Sequence, residues 1–269
     1  MIRIAGGSVP GTDHTMPGQP GWKNNLDAYT WRYLPQGGVV AVVCDGCGSG
    51  KHSEVGAKLG THLVAQIVSD EVVKMESIDS LSWQRIKHLV LGQLSTVAKA
   101  MGGSLSETIS DYFLFTILGA IVTPEVLCVF SLGDGVYIIN NTVRELGPFP
   151  GNSPPYLMYN LTGSELTEAD PGSLDFQIHR FVSMSGFQSL ILGTDGVMNL
   201  IQNAENPLPG KTDRIGPINQ FLDDRYFANP DAIRRRLAII NRELVLDRIV
   251  VGGPLKDDTT VVVIRRDIP

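Results

Sequence analysis

The chain of 269 residues has no long apolar run. A membrane-spanning helix needs about 20 consecutive apolar residues, and no stretch of this sequence reaches that length. The N-terminus also lacks a charged stretch followed by an apolar signal segment. We therefore expect a cytoplasmic protein with no membrane partner.

Cysteine is scarce as well. Its three positions, Cys44, Cys47 and Cys128, are odd in number and match neither a disulfide framework nor a zinc-binding spacing. Cys44 and Cys128 lie inside apolar runs, where a free thiol packs like a small hydrophobic side chain. We expect both to be core thiols.

Positive charge is in deficit, because 22 lysines and arginines stand against 28 aspartates and glutamates, for a net charge of -6. A nucleic-acid-binding protein needs a basic surface to neutralise phosphates, so no nucleic-acid partner is expected. One local basic cluster, Arg234 to Arg236, is not interleaved with aromatic residues. We interpret it as a solvated helix face.

The sequence does contain many short strand-like runs and a few long helical segments. No repeat or linker-like tract divides it, so we expect a single domain over residues 1–269. Runs rich in Val, Ile, Leu and Phe predict strands over residues 39–44, 113–122, 126–132, 136–140, 190–192 and 260–264. Apolar residues at helical spacing predict helices over residues 53–74 and 81–101, with a third helical region over 215–227 and 230–246.

Helices in separate blocks, with strands in succession between them, predict an α+β fold of mainly antiparallel sheets. Residues 141–183 interrupt this pattern as a long irregular segment that is rich in proline and glycine. Long irregular segments in compact domains are often functional. We interpret this one as a flap.

Aspartates stand at the ends of the predicted strands. The three Asp-Gly dipeptides begin at Asp45, Asp134 and Asp195, and each directly follows an apolar run, whereas Asp257-Asp258 precedes the run TTVVVI. Asp-Gly is also a common hairpin signal, and this alternative is open for Asp134, because another strand-like run follows it at once. It suits Asp45 and Asp195 poorly, because a glycine-rich loop follows the one and a helix-like segment follows the other.

Carboxylates at strand ends are held on rigid elements yet face solvent, and a neighbouring glycine lets a ligand or carbonyl approach closely. Ligation by several carboxylate oxygens selects Mg²⁺ or Mn²⁺ over zinc, which prefers His and Cys. Two such ions about 3.5–4 Å apart would hold a bridging hydroxide in line with a phosphoryl group. The expected reaction is therefore hydrolysis of a phosphomonoester.

Five segments in order carry a resemblance to a known family. They are NNLDAY at residues 24–29, VVCDGCGSG at 42–50, LGDGVYII at 132–139, LGTDGV at 192–197 and KDDTTVVVI at 256–264. With these motifs the chain resembles the PPM, or type 2C, metal-dependent Ser/Thr protein phosphatases of bacterial type. The resemblance implies a four-layer α-β-β-α sandwich of two mainly antiparallel sheets covered by helices, with the metals in a cleft at one edge.

The resemblance also implies the ligands of two divalent ions, Mn²⁺ or Mg²⁺. Asp45 would bridge both ions, and the backbone carbonyl of Gly46 would bind one of them. Asp195 and Asp257 would complete the other side. The expected catalytic residues are these three aspartates together with Asp27.

Further positions have supporting roles in the resemblance. Asp27 would hold a metal-bound water or a ligand, Asp134 would bind a third, weaker ion, and Asp258 would support Asp257. The implied partner is a phosphoprotein substrate in a signalling system, on which the chain is expected to act as a monomer.

Two positions depart from the family pattern. The arginine that binds the substrate phosphate is missing from the stretch GWKNNLD, where Lys23 would substitute as a point charge. Cys47 stands where some members have a histidine after Asp-Gly. The general acid is therefore unassigned: His14 and His52 are the nearest candidates by sequence, and water on a metal is the alternative.

Two other functions are alternatives to hydrolysis. GSGKHS at residues 48–53 is similar to a phosphate-binding P-loop, but Asp45 stands where that pattern needs glycine, and His52 stands where it needs Ser or Thr. A pseudophosphatase that binds phosphoproteins without turnover is the other alternative, favoured by the missing arginine. The retained carboxylates oppose it, because acidic clusters that bind no cation repel one another.

Overall fold

The computed structural model describes residues 2–15, 24–74, 80–163, 171–246 and 249–267. The chain forms two compact units, each assembled from separated segments. Unit 1 comprises Met1–Asp27, Gly135–Glu145 and Gly186–Pro269, and unit 2 comprises Ala28–Asp134 and Leu146–Ser185. That both units belong to one folding domain stays a prediction.

The strands, in chain order, are β1 (Ile2–Val9), β2 (Ala28–Tyr33), β3 (Val39–Cys44), β4 (Ile117–Val122), β5 (Val126–Leu132), β6 (Gly135–Ile139), β7 (Thr142–Leu146), β8 (Gln177–Ser183), β9 (Ser189–Gly193), β10 (Leu244–Leu246), β11 (Ile249–Val251) and β12 (Thr259–Arg266). Unit 1 contains a five-stranded sheet in the order β1-β12-β9-β6-β7, and unit 2 contains one in the order β2-β3-β4-β5-β8. Strands β10 and β11 form a separate two-stranded sheet in unit 1.

The helices of unit 2 are Ser53–Lys74, Ser80–Ala100, Leu105–Tyr112 and Tyr159–Thr162, with 3₁₀ turns at Pro150–Asn152 and Pro171–Leu174. Those of unit 1 are Thr12–Thr15, Val197–Gln202, Asp224–Ala228 and Ala232–Ile240, with a 3₁₀ turn at Ile218–Leu222. No helix in the described ranges combines the length and the apolar character that crossing a bilayer requires.

Each unit has its own hydrophobic core between its sheet and its helices. In unit 2 the helix Ser53–Lys74 packs on β2 and β3, and every residue of β3 is buried. In unit 1 the helix Ala232–Ile240 packs on β1, and the first six residues of β12 are buried. Strands buried on both faces explain why these sequences are continuous apolar runs.

The predicted α+β fold with two mainly antiparallel sheets is confirmed, with antiparallel pairing throughout β2-β3-β4-β5-β8 and between β1, β12, β9 and β6. The predicted helix over residues 53–74 has these same bounds in the structure. Cys44 and Cys128 are buried free thiols, as expected.

The segment of residues 141–183 was expected to be irregular throughout, and this is wrong at both of its ends, whereas its role as a flap stays a prediction. Residues Thr142–Leu146 form β7, and Gln177–Ser183 form β8, which pairs with β5. β8 reads QIHRFVS, and it is a strand because β5 offers it a hydrogen-bonding edge rather than because its own pattern is apolar. The described residues between these strands form only short helical turns.

The third helical region is also shorter than predicted. The helix Ala232–Ile240 stops at Asn241, whose side chain donates to the Pro10 carbonyl (3.0 Å) and accepts from the Leu255 amide (2.9 Å). These bonds hold Asn241 out of the helix, so that Leu244–Leu246 forms β10 instead. In the Arg234 to Arg236 cluster, Arg234 and Arg235 pair with Asp231 on the same helix end.

Candidate metal-binding site

Asp195 and Asp257 lie at one edge of the sheet of unit 1. Strands β9 and β12 are antiparallel, with Gly193 opposite Val261, so the chain leaves β9 and enters β12 at the same edge. Asp195 follows β9 by two residues, and Asp257 precedes β12 by two. The placement of both aspartates at strand ends agrees with the sequence pattern.

Gly196 allows the two aspartate turns to touch. A Cβ atom at this position would lie 2.0 Å from the Asp258 carbonyl oxygen and 3.0 Å from the Thr259 hydroxyl oxygen. The glycine of this Asp-Gly pair therefore serves a close backbone approach, because the helix Val197–Gln202 follows it and no hairpin partner does.

Asp258 is a buried carboxylate, 1% exposed, that ties down the N-terminal segment. Its Oδ1 accepts from the Gly11 amide (2.7 Å), and its Oδ2 accepts from the Leu26 amide (2.5 Å). The same Oδ1 lies 2.9 Å from His14 Nδ1, while His14 Nε2 lies 3.9 Å from Asp257 Oδ1. Asp258 therefore holds both ends of the connection between β1 and Asp27.

Asp27 lies in the same group of carboxylates. Its Oδ2 accepts from the Thr194 hydroxyl (2.7 Å), and Thr194 in turn accepts from the Thr260 amide (3.1 Å). Its Oδ1 is buried and makes no hydrogen bond within the described residues. Burial and the charge of Asp258 raise the pKa of Asp27 well above its ordinary value.

The carboxylates of Asp27, Asp195 and Asp257 also repel one another. Burial and the nearby charge of Asp195 raise the pKa of Asp257 to about 6. The charge of Asp195 also raises the pKa of Asp27, so unit 1 brings Asp27, Asp195 and Asp257 within electrostatic reach of one another. Across the described part of the chain, no three His, Cys, Asp or Glu side chains are arranged closely enough to hold an ion as they stand.

The chemistry of these donors nevertheless suits a hard divalent cation. All of them are carboxylate oxygens, which Mg²⁺ and Mn²⁺ prefer. A cation would offset the repulsion that raises the pKa values of Asp27 and Asp257, and it would give the buried Asp27 Oδ1 a partner.

In unit 2, Asp45 is held at the edge of the other sheet. Its amide donates to Thr116 Oγ1 (3.3 Å), and its carbonyl accepts from the Thr116 amide (2.8 Å). The Cys47 amide donates to the Leu114 carbonyl (2.8 Å), which makes Gly46 and Phe115 the non-hydrogen-bonded pair of this short ladder. The carbonyl of Gly46 is therefore directed away from the ladder, as a ligand carbonyl would be.

Asp134 lies at the same edge of unit 2 as Asp45. Strand β5 ends opposite the start of β4, with Leu132 paired to Ile117, and a Cβ at Gly133 would lie 2.8 Å from Thr116 side-chain atoms. The hairpin alternative for Asp134 is wrong, because β5 and β6 belong to different sheets. Thr116 is the shared neighbour of both turns.

Cys47 has a defined environment inside unit 2. Its Sγ lies 3.1 Å from Ser49 Oγ and also hydrogen-bonds Tyr156. Burial alone would raise the pKa of the Cys47 thiol, but the bonds with Ser49 and Tyr156 outweigh it, and the pKa is lowered. Tyr156 itself is buried, and burial and the neighbouring Cys47 raise its pKa.

His52 and Lys51 contact residues other than the strand-end aspartates. His52 is exposed and faces Tyr112 and Glu54 rather than a strand-end aspartate. Lys51 of the P-loop-like string pairs with Asp111 at 2.7 Å. Lys23 lies outside the described residues.

Neither Thr194 nor Tyr156 was predicted from the sequence to belong to the site. A polar residue buried at the end of an apolar strand was the signal available for Thr194. No sequence signal indicated Tyr156, because only the fold brings it close to Cys47.

Comparisons with known proteins identify the family and the fold. A family model described as Protein phosphatase 2C matches residues 11–232. No curated protein matches the sequence.

Several solved structures share the fold. The serine/threonine phosphatase Stp1 from Staphylococcus aureus is 14% identical, with 100% of this chain and 96% of that chain covered and a TM-score of 0.56. The PstP catalytic domain, solved with 2 manganese ions, is 14% identical over 98% and 97%, with a TM-score of 0.53. The S. agalactiae serine/threonine phosphatase is 13% identical over 99% and 100%, also with a TM-score of 0.53.

Proposed function

The chain belongs to the protein phosphatase 2C family, and on this premise we propose that it hydrolyses phosphoserine and phosphothreonine esters of proteins with two divalent cations. Metal-dependent protein phosphatase activity is what membership of the family establishes. The observation that carries the finer proposal is the buried Asp27 Oδ1, which has no hydrogen-bond partner in the described residues and lies among mutually repelling carboxylates.

The proposed ligands are Asp45, the Gly46 carbonyl, Asp195 and Asp257, with Asp27 holding a ligand of one ion. Asp134 is proposed at a third, weaker position. Mn²⁺ and Mg²⁺ both suit these oxygens, and the two manganese ions in PstP support the count. When bound, the ions would supply Lewis-acid activation of water for attack on phosphorus.

The chain's own residues would position the reacting groups. Thr194 orients Asp27 through a 2.7 Å hydrogen bond, and Thr116 fixes the backbone of Asp45 on both sides. Asp258 anchors the segment that precedes Asp27. Lys23 is proposed to bind the substrate phosphate as a point charge.

The direct test is hydrolysis of p-nitrophenyl phosphate and of phosphoserine and phosphothreonine peptides, with Mn²⁺ and with excess EDTA. We expect turnover only with the metal. A protein that binds phosphopeptides but shows no metal-dependent turnover would be the pseudophosphatase alternative.

Replacement of one proposed ligand should separate catalysis from folding. We expect Asp45→Asn and Asp195→Asn each to lower kcat/KM by about 100-fold or more, because loss of a cation removes several kcal/mol of transition-state stabilisation. The unfolding temperature of Asp195→Asn should not fall, since this change relieves the repulsion of Asp27 and Asp257. Asp70→Asn, at an exposed position of the helix Ser53–Lys74, is the control and should keep normal activity. Near-normal turnover in either ligand variant would remove that residue from the assignment.

A further inference from the structure

A cleft in unit 1 is lined by none of the proposed metal ligands. It is a cleft of about 810 Å³ formed by the loop of residues 207–213 together with Arg242, Leu244 and Gly252. We call it the basic cleft. Its volume is within the range of about 300–1,000 Å³ in which proteins bind ligands.

The lining of the basic cleft combines apolar and cationic groups. Pro207, Leu208, Pro209 and Leu244 supply apolar surface. Lys211 and Arg242 are exposed and form no ion pair with any residue in the described ranges. With Asp213 as its one acidic residue, the cleft has a net positive charge in a chain whose net charge is -6.

The backbone that carries these cations is ordered by hydrogen bonds. The Leu208 amide donates to the Asp213 carbonyl (2.7 Å), and the Lys211 amide donates to the Leu208 carbonyl (2.9 Å). Arg242 directly follows Asn241, which is bonded to Pro10 and Leu255. The cleft is therefore preformed, which lowers the entropy cost of binding.

Strand β10 borders the basic cleft through Leu244. It pairs only with β11, and in the described part of the chain no other strand covers its outer edge. On this ribbon Val245 and Val250 are cross-strand partners that are 71% and 46% exposed. A free edge with exposed β-branched side chains offers hydrogen bonds to an extended chain.

We propose that the basic cleft binds an extended segment of a substrate protein in which carboxylate side chains alternate with apolar ones. A peptide is favoured over a small molecule because the cleft is open to solvent, whereas small-ligand sites bury most of the ligand surface. The acidic character of the segment follows from Lys211 and Arg242, and its extended form follows from the edge of β10. That the partner is a substrate rests on the proposed function.

The test measures fluorescence polarisation of a labelled seven-residue peptide of alternating glutamate and leucine, added to the full chain without metal. We expect saturable binding that weakens at least tenfold in the double variant K211E/R242E and weakens with rising salt. A peptide of alternating lysine and leucine should bind at least tenfold more weakly than the glutamate peptide.

The matched control is K58E/K99E, which makes the same charge change at exposed lysines on the helices Ser53–Lys74 and Ser80–Ala100. It should bind the peptide within twofold of the unchanged chain. Equal weakening in both double variants would overturn the proposal, because net charge rather than the cleft would then govern binding. Absence of saturable binding would overturn it as well.

Turnover of p-nitrophenyl phosphate separates this proposal from the proposed function. K211E/R242E should hydrolyse this small ester at the normal rate and show a raised KM only for a phosphopeptide extended by the acidic segment. Peptide binding without turnover of either substrate would reject the phosphatase mechanism and retain the cleft.

Discussion

Thr194 links the carboxylate of Asp27 to the sheet of unit 1. Its hydroxyl donates to Asp27 Oδ2 and accepts from the Thr260 amide, so one side chain connects Asp27, β9 and β12. Residues that orient metal ligands typically change metal affinity or activity by about 10–100-fold when they are removed. Thr194 is therefore a positioning residue in the proposed mechanism.

We predict that Thr194→Val, which keeps the shape but removes the hydroxyl, raises the Mn²⁺ concentration needed for half-maximal activity by about 10-fold or more. Asp27 would lose the Thr194 hydroxyl as a donor to Oδ2, and the Thr260 amide would lose its acceptor. The measurement is p-nitrophenyl phosphate hydrolysis against Mn²⁺ concentration, with Mn²⁺ affinity determined separately by calorimetry.

Thr194→Ser is the matched control, because it restores the hydroxyl and loses only a methyl group. It should recover most of the Mn²⁺ affinity. If Thr194→Val binds Mn²⁺ as tightly as the unchanged chain does, the positioning role is wrong.

Among the elements, the turns that follow β9 and precede β12 depend on their close packing at Gly196. We predict that Gly196→Ala lowers the free energy of unfolding by about 1–3 kcal/mol, because its Cβ would overlap the Asp258 carbonyl oxygen at 2.0 Å. Activity should fall at the same time, since the Asp195 and Asp257 turns must separate. Urea denaturation and initial rates measure the two effects.

Gly92→Ala is the control for the glycine substitution. Gly92 lies within the helix Ser80–Ala100, and a Cβ there meets nothing within 4 Å. The variant should be more stable by roughly 0.5–1 kcal/mol, because alanine favours helix more than glycine does. Equal effects at both positions would show that Gly196 is not a packing constraint.

The connection that leads into β8 is anchored to the helix Ser80–Ala100. Lys87 Nζ donates to Asp175 Oδ1 at 2.5 Å, and Gln84 donates to Asp175 Oδ2 at 2.9 Å. Burial would raise the pKa of Asp175, but the bonds from Lys87 and Gln84 outweigh it, and the pKa is lowered. A carboxyl group whose pKa is lowered by folding stabilises the fold above its unfolded pKa of about 3.9.

We therefore predict that Asp175→Asn lowers the free energy of unfolding by about 1–2 kcal/mol at pH 7. The difference from the unchanged chain should shrink as the pH falls from about 4 through the folded pKa, because Asp175 is then protonated in both states. Urea denaturation at pH 7 and pH 3 measures it. A difference that stays constant between the two pH values for Asp175→Asn would contradict an ionic origin.

At the scale of the whole molecule, neither unit is a continuous stretch of chain. The chain passes between the units after Asp27, Asp134, Glu145 and Ser185. The sheet of unit 1 takes β1, β6 and β12 from three separate segments, so it cannot form before distant parts of the chain meet.

We predict a single calorimetric unfolding transition, with equal calorimetric and van't Hoff enthalpies. Mn²⁺ should raise the transition temperature, because a ligand that binds only the folded state stabilises it. Asp195→Asn should weaken that increase and Asp70→Asn should not. Two separate transitions would contradict the expectation of a single domain over residues 1–269.

Local pattern was sufficient for β3, β5 and the helix Ser53–Lys74, because a strand buried on both faces is apolar throughout and a long helix repeats its own spacing. The enzyme class was likewise predictable, since the motifs around Asp45, Asp195 and Asp257 are short and contiguous. Family membership confirms that class.

Glycine-containing and polar strands were not predictable from local pattern. β1 contains two adjacent glycines, which favour a turn locally, but a Cβ at Gly7 would lie 2.4 Å from the Arg234 amide nitrogen of the helix packed on it. β8 is a strand because β5 pairs with it, and Asp134 begins no hairpin because β5 and β6 join different sheets. The aspartates at the strand ends, in contrast, could be recognised from the local sequence.

Their partners were decided by tertiary structure. Thr194 donates to Asp27, and Asp258 accepts from Gly11 and Leu26. Tyr156 hydrogen-bonds Cys47. Each of these bonds joins residues that are far apart in the chain. Hydrogen bonds of this kind depend on which strands become neighbours, and neighbouring strands are set by burial and pairing over the whole molecule rather than by any one segment.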